Sequence, residues 1–290
     1  MTTAANHYGI VSRAQAVAAG MTDKQVDNRI ANGRWEVIHP SVYRIAGTPI
    51  TGRQRAYAAS LSMDAIVSHT TAGALLRIDG VRARGVHVTL AYGQRGGQKA
   101  KGISVHWSTS LPRTDRVFVD RIPCTNGTRT ILDLAADLDD ERLETAFESA
   151  RRMGLTTTVA LARRFEALGG RGRPGSARVK KLLDVAGERP LESRLEVKLA
   201  RLLRQAGHIP AVQHKVGDYR LDFAWPFLLL AVECDGFEHH GYRLAWKRDR
   251  RRIAALEAMH WRIIHVTWDD VTLRPEETLA RIATALVRAA

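Results

Sequence analysis

The stretch Tyr219–His240, YRLDFAWPFLLLAVECDGFEHH, constrains the fold more than any other part of the chain. Its apolar run Phe227–Val232 has the length and composition of a short buried strand, along which side chains alternate between faces. Glu233 and Asp235 then emerge on one face where the strand ends. Ala224, Trp225 and Pro226 form a turn, because proline donates nothing to a sheet ladder and tends to sit at bends. The strand before that turn folds back beside the apolar run and carries Asp222 towards Glu233 and Asp235.

Carboxylates drawn together in this way are costly. Two unit charges about 4 Å apart repel by about 1 kcal/mol in bulk water and about 4 kcal/mol at an effective dielectric near 20. A shared proton or a bound divalent cation offsets the repulsion. Oxygen-only ligands favour Mg²⁺ or Mn²⁺ over zinc, so Asp222, Glu233 and Asp235 are the expected metal ligands.

With 290 residues, 45% of them hydrophobic, the chain has material for two or three domains with cores of their own, which excludes a disordered protein. A net charge of +14 and a pI near 10.4 imply a polyanionic partner, with double-stranded DNA expected ahead of RNA. No window approaches the roughly 20 apolar residues of a spanning helix, and no signal-peptide core is present, so no membrane association is expected. Cys124 and Cys234, neither in a C-x-x-C pair, argue against a disulfide framework or a structural zinc site and point to a reducing cytoplasm.

Taken in order, the chain begins with two short helices and a hairpin. Ser12 caps a helix Arg13–Ala19, and Thr22 caps a helix Asp23–Ala31. Trp35–Ile38 and Val42–Ile45 then flank a His39-Pro40-Ser41 turn, an order that suggests a winged helix. Lys24, Gln25, Asn28 and Arg29 on the second helix, with Arg34 and Arg44 beside the wing, are candidate DNA contacts; a solvated helix face is the alternative. The run GIVSRAQAVAAGMTDKQVDNRIANGRWEVIHPSVYRI resembles the N-terminal domain of AbiEi-type antitoxins. That resemblance implies a DNA-binding winged helix, often autorepressing, in a type IV toxin–antitoxin pair, and hence a cognate toxin partner.

The middle of the chain is expected to be a small α+β unit, with helices Arg53–Ser62 and Ser68–Leu76 and strands Val86–Leu90 and Ile103–Trp107. The basic, glycine-containing segment 92–99 is read as a solvated hairpin loop and fits no nucleotide-binding fingerprint. Ser68-His69-Thr70-Thr71 lacks a convincing base and orienting acid, so Ser68 is read as a helix cap. Residues 128–168 carry helical apolar stripes, and Gly169–Ser176 is the strongest linker candidate. The expected domains are 1–50, 51–170 and 188–290, with a basic linker over 171–187.

In the last of these, Leu195, Leu199, Leu202 and Leu203 mark an amphipathic helix over Glu192–Ala206, on which Glu192 and Glu196 share a flank. Salt bridging to Lys198 is the alternative for these acids. Trp261–Val266 reads as a strand, Trp268 as a packed residue, and Glu276–Arg288 as a closing helix.

A helix acid, then Asp222, then Glu233-Cys234-Asp235, resembles the PD-(D/E)XK restriction-endonuclease-like superfamily. Within it, ESRLEVKLARLLRQAG, LDFAWP, LLLAVECDGFEHH and KRDRRRIAALEAMHWRIIHVTWDDV are similar to domains related to the very-short-patch-repair endonucleases, over about Leu191–Ala289. The resemblance implies an α/β nuclease domain, a mixed central sheet flanked by helices, that hydrolyses phosphodiesters with Mg²⁺ or Mn²⁺. It implies catalytic roles for Glu196, Asp222, Glu233 and Asp235. Asp235 stands where the superfamily motif has lysine, which leaves the general base open; His239 and His240 are candidates. Lys247, Arg248, Arg250, Arg251 and Arg252 are candidate backbone contacts, although Asp249 and Arg252 have the spacing of a structural ion pair. A non-catalytic antitoxin or repressor, with the nuclease-like domain as a platform, is the alternative function.

Overall fold

The computed structural model describes residues 7–94, 102–168, 172–186, 190–235 and 252–289. The chain divides into two compact units, Met1–Val185 and Ala186–Ala290.

The first unit opens with the winged helix. Strand β1 (Ile10–Ser12) leads into α1 (Arg13–Ala18), α2 (Asp23–Ala31), β2 (Trp35–His39) and β3 (Val42–Ile45). Both helices start at full capping boxes: Ser12 pairs reciprocally with Gln15, and Thr22 with Gln25, satisfying amides that a helix start leaves free. The sheet order is β1-β3-β2, and Val11, Ala16, Val26, Trp35 and Tyr43 form its core.

Helix α3 (Gly52–Met63) connects this region to a five-stranded sheet of order β6-β5-β4-β8-β7, comprising β4 (Ile66–Val67), β5 (Val86–Ala91), β6 (Ile103–Ser108), β7 (Arg116–Val119) and β8 (Ile122–Thr125). Helix α4 (His69–Leu75) follows β4. Ile10 and Val42 of the winged helix pack in one core with Ala56, Val88 and Ile122, so segments 1–50 and 51–170 belong to one unit. The strands expected as a hairpin, β5 and β6, pair in parallel, with Val86 opposite Ile103 and Ala91 opposite Ser108. Alternating polarity marks a strand but carries no information on the direction of its neighbour. Ser68 occupies the N-cap position of α4 without a side-chain capping bond; its hydroxyl is engaged by Thr89 and His69 instead.

Four helices complete the unit: α5 (Gly127–Asp137), α6 (Asp140–Arg152), α7 (Thr158–Leu168) and α8 (Ser176–Val185). The last lies within the segment expected as a basic linker. Arg173 donates to the buried Asp133 at 2.7 Å and Arg178 to the Ala135 carbonyl at 3.0 Å. Gly175, at φ +83°, approaches the Ala135 backbone so closely that a Cβ would fall 2.4 Å from its carbonyl. Residues that look solvated by composition therefore dock the chain.

The second unit is an α/β domain. Helix α9 (Arg194–Gln205) precedes β9 (Ala211–Val216), β10 (Tyr219–Trp225), a 3-10 turn at Pro226–Leu228 and β11 (Leu230–Asp235). Helical residues 252–258 (α10), β12 (Arg262–Thr267), α11 (Trp268–Thr272) and α12 (Pro275–Ala289) follow. The sheet order is β12-β11-β10-β9; β11 and β12 run parallel and the other neighbours antiparallel, which makes it mixed. Leu195, Leu199, Leu203, Phe223, Val232, Val271 and Ile282 build one core, with Trp268 packed at its border. Leu221, Ala224, Ala231, Leu256 and Trp261 build another. Helix α9 starts at Arg194 after the cap Ser193, so Glu192 stands before the helix rather than on it.

Candidate active site and nucleic-acid interface

Strands β10 and β11 are a hairpin, with Phe223 opposite Val232 and Trp225 opposite Leu230. Asp222 and Glu233 lie one step further from the turn. Asp222 Oδ2 accepts the Cys234 backbone N–H at 2.9 Å, so the carboxylate is anchored directly to the motif strand. Its Oδ1 accepts from Gln213 Nε2 at 3.1 Å, and the same amide donates to Glu196 Oε2 at 2.9 Å. Gln213 is buried on β9 with a left-handed backbone, φ +51°, in a conformation that side chains with a Cβ rarely adopt. This one amide ties the helix acid to the strand acid.

Glu196 is buried at the start of α9, where it also accepts the Glu192 backbone N–H at 2.8 Å. Burial, reinforced by the charge of Asp222, pushes its carboxyl up to about 6. Burial likewise raises Asp222, against hydrogen bonds from the Cys234 N–H and Gln213 that lower it. Glu233 is buried and raised for the same reason, although Arg252 Nη2 donates to its Oε1 at 2.7 Å. Arg252 also donates to the Arg220 carbonyl at 2.9 Å. Burial and the nearby carboxylates push the Cys234 thiol up, so it stays protonated and is no nucleophile.

Asp235, at the exposed end of β11, has a partner of its own: its Oδ1 lies 3.1 Å from His265 Nδ1 on the parallel strand β12. Asp222, Glu196 and Glu233 thus form an electrostatically linked group, while Asp235 belongs to an Asp–His pair at its edge. Gln213 and His265 are absent from the sequence expectations. His265 leaves a trace, interrupting the apolar Ile263, Ile264 and Val266 of β12, whereas Gln213 leaves none. His239, His240, Lys247, Arg248, Asp249, Arg250 and Arg251 lie outside the described residues.

On the winged helix, Lys24, Gln25 and Asn28 are exposed on α2. The Gln25 side chain closes the capping box, with its Oε1 accepting the Thr22 N–H at 2.9 Å. Arg29 lies over the Trp35 ring at 5.4 Å, Arg44 is ion-paired with Glu36, and Arg34 is exposed at the head of the wing.

Two parts of the chain match family models, one restriction-endonuclease-like and one of antitoxin type. Residues 195–286 match the family REase_MTES_1575, and residues 1–46 match AbiEi_4, transcriptional regulator, AbiEi antitoxin. The uncharacterized protein Rv2248 of Mycobacterium tuberculosis strain H37Rv is 29% identical over 279 residues, covering 93% of this chain and 98% of that protein. The uncharacterized protein YcjD of Escherichia coli K12 is 36% identical over 76 residues, 26% of this chain and 62% of that one. Among solved structures, the catalytic domain of the homing endonuclease I-Bth0305I aligns over 32% of this chain and 94% of its own, at 17% identity and a TM-score of 0.29. No described helix is long and apolar enough to cross a membrane.

Proposed function

We propose that this protein is a metal-dependent endonuclease that hydrolyses phosphodiester bonds of double-stranded DNA, with the winged helix contributing duplex binding. The observation that carries the reading is the Gln213 amide held between Glu196 and Asp222, which keeps buried carboxylates together despite their repulsion.

The donor set fits a hard divalent cation. Glu196, Asp222 and Glu233 present oxygens alone, and all three carboxyls are raised by burial, a penalty that a cation offsets; the fit is one of donor chemistry, because oxygens from all three do not come within 4.8 Å of one another. Asp222 and Glu233 would hold Mg²⁺ or Mn²⁺, with Glu196 completing the coordination or binding an outer water, and Asp235 at its margin. When bound, the ion supplies an activated water and neutralises charge developing at phosphorus.

The remaining work falls to the chain. Gln213 orients two carboxylates at once, and the Cys234 N–H fixes Asp222 Oδ2. Arg252 holds Glu233 in place and offers positive charge beside it. With Asp235 at the lysine position of the motif, proton acceptance passes to a histidine. His265 has its Nδ1 on Asp235, an arrangement that fixes a tautomer and leaves Nε2 open. His239 and His240 are the other candidates. Lys24, Gln25, Asn28, Arg29, Arg34 and Arg44, with Lys247, Arg248, Arg251 and Arg252, would contact DNA.

A thermal-shift titration tests the metal component. Mn²⁺ should raise the melting temperature of the wild type in proportion to log concentration, because a ligand at 100 times its Kd adds about 2.7 kcal/mol. Asp222→Ala should abolish that shift; an equal shift in the variant contradicts the assignment.

A second reading is favoured by the Arg252–Glu233 ion pair, which already neutralises a proposed metal ligand. In it the protein is an AbiEi-like antitoxin or repressor with a non-catalytic platform and a cognate toxin. A nucleotidyltransferase-like toxin encoded next to it would favour this reading. So would operator binding lost on changing Lys24 or Arg29, with no metal-dependent cleavage of any substrate.

A further inference from the structure

Far from the carboxylates in sequence, three histidines on three different elements of the first unit meet. His69 opens α4, His87 lies on β5 and His106 on β6, and one ligand-capable nitrogen from each falls within 4.8 Å of the others. Among the described residues this is the one such group of three or more histidine, cysteine or acidic side chains. We infer that His69, His87 and His106 form a binding site for a zinc-type transition-metal ion, with three imidazole ligands and a fourth position open to water or an external donor.

The spacing fits. His87 Nδ1 and His106 Nε2 are 3.0 Å apart, and two imidazole nitrogens on a tetrahedral Zn²⁺ stand about 3.3 Å apart, given metal–nitrogen distances of roughly 2.0–2.1 Å. The three rings are stacked, with planes 14–30° apart, so the rings tilt when they close on an ion. An imidazole donor set suits zinc, copper, iron or nickel and is poor for Mg²⁺. This ion is therefore different from the one proposed for the carboxylates.

The surroundings are those of a built site. His69 holds a left-handed backbone, φ +51°, a costly state for a residue with a side chain, and such strain persists only where neighbours enforce it. Its Nδ1 lies 2.9 Å from the fully buried Ser68 hydroxyl, which also accepts a hydrogen bond from Thr89 at 2.7 Å. With Nδ1–H donated to Ser68, the His69 Nε2 lone pair is free for an ion, the usual arrangement behind a metal-bound histidine. The same Ser68–Thr71 segment grips His87 from both sides: the His87 N–H donates to Thr71 Oγ1 at 2.9 Å, and its carbonyl accepts the Ser68 N–H at 3.0 Å. Asp137 adds negative potential at His106, and the charge of nearby Arg129 is balanced by Asp115 and Asp133.

The test uses the full-length chain stripped with chelator, incubated with Zn²⁺ alone, passed through gel filtration and analysed for metal. About one Zn²⁺ per chain should remain in the wild type and in Asp222→Ala/Glu233→Ala, and retention should fall at least tenfold in His87→Ala and His106→Ala. His208→Ala should retain the ion. Zinc X-ray absorption of the wild type should give nitrogen ligands with imidazole scattering, a readout that stands even if a histidine variant fails to fold. Absence of retained Zn²⁺ in the wild type, a spectrum without imidazole, or loss in Asp222→Ala/Glu233→Ala but not in His106→Ala overturns the site. None of these outcomes bears on cleavage by the second unit.

Discussion

Arg252 Nη2 donates to Glu233 Oε1 at 2.7 Å, linking the helical segment 252–258 to the motif strand β11. The carboxylate is 9% exposed and the guanidinium 27%, so the contact is shielded enough to matter. Arg252→Ala leaves a buried acid without its main counter-charge. The expected loss is about 2 kcal/mol at pH 8, the scale of a hydrogen bond to a charged group, read from urea denaturation. Arg252→Lys should recover part of it.

The raised Glu196 carboxyl gives stability a distinctive pH dependence. Its pKa moves from 4.5 to about 6 on folding, so between these values the folded state binds more protons than the unfolded state. The sign is therefore opposite to that of a salt-bridged acid: the contribution of Glu196 to stability is fully present below pH 4.5 and is lost as pH rises through about 6. Glu196→Gln keeps an acceptor for Gln213 and the Glu192 N–H but carries no charge. At pH 8 and without divalent ions it should be more stable than the wild type by about 2 kcal/mol, and near pH 4.5 the two should coincide. A variant less stable at both pH values would contradict this.

In the first unit, the fully buried Arg129 bonds Asp115, Asp133, the Ser110 carbonyl and the Ser108 hydroxyl. Arg129→Ala takes one of two arginine partners from each buried acid, leaving Asp115 with Arg164 and Asp133 with Arg173, and should cost about 3 kcal/mol in chemical denaturation. Arg53→Ala, which breaks the exposed pair with Asp120, should cost less than about 1 kcal/mol.

If α2 contacts DNA, its residues should separate by chemistry. Lys24→Ala should weaken binding across sequences and reduce the slope of log affinity against log salt by about 1. Asn28→Ala should leave the slope unchanged and narrow the gap between preferred and random duplex. Fluorescence anisotropy over a salt series distinguishes these outcomes, and no effect of either change would remove α2 from the interface.

Local signals made the winged helix legible: the Ser12–Gln15 and Thr22–Gln25 capping boxes and the turn after His39 are short-range patterns. The β10–β11 hairpin was legible because its turn and apolar run adjoin, but the turn lies at Pro226–Leu228 and not at Ala224–Pro226, and Phe227, expected in the buried strand, is fully exposed there. What stayed hidden depends on contacts between distant residues. Parallel pairing of β5 with β6, the docking of Arg173 on Asp133, and Gln213 between two acids leave no periodic mark. The histidine group needs three elements to fold before it exists, and each histidine alone resembles an ordinary half-buried side chain. Asp235 was expected beside Glu233 because alternation puts both on one face; His265, paired in register with Glu233 on β12, also stands on that face and engages Asp235 at the exposed strand end.

The central claim is that the carboxylates around Gln213 support hydrolysis of DNA. Supercoiled plasmid incubated with purified full-length protein tests it most directly, in Mn²⁺, in Mg²⁺ and in EDTA. Nicked or linear product should form with a divalent ion and not in EDTA, and should fall by about 100-fold or more in Asp222→Ala and in Glu233→Ala, with both variants folded by circular dichroism. Cleavage that persists unchanged in those variants, or no cleavage by the wild type with either ion, would contradict the account.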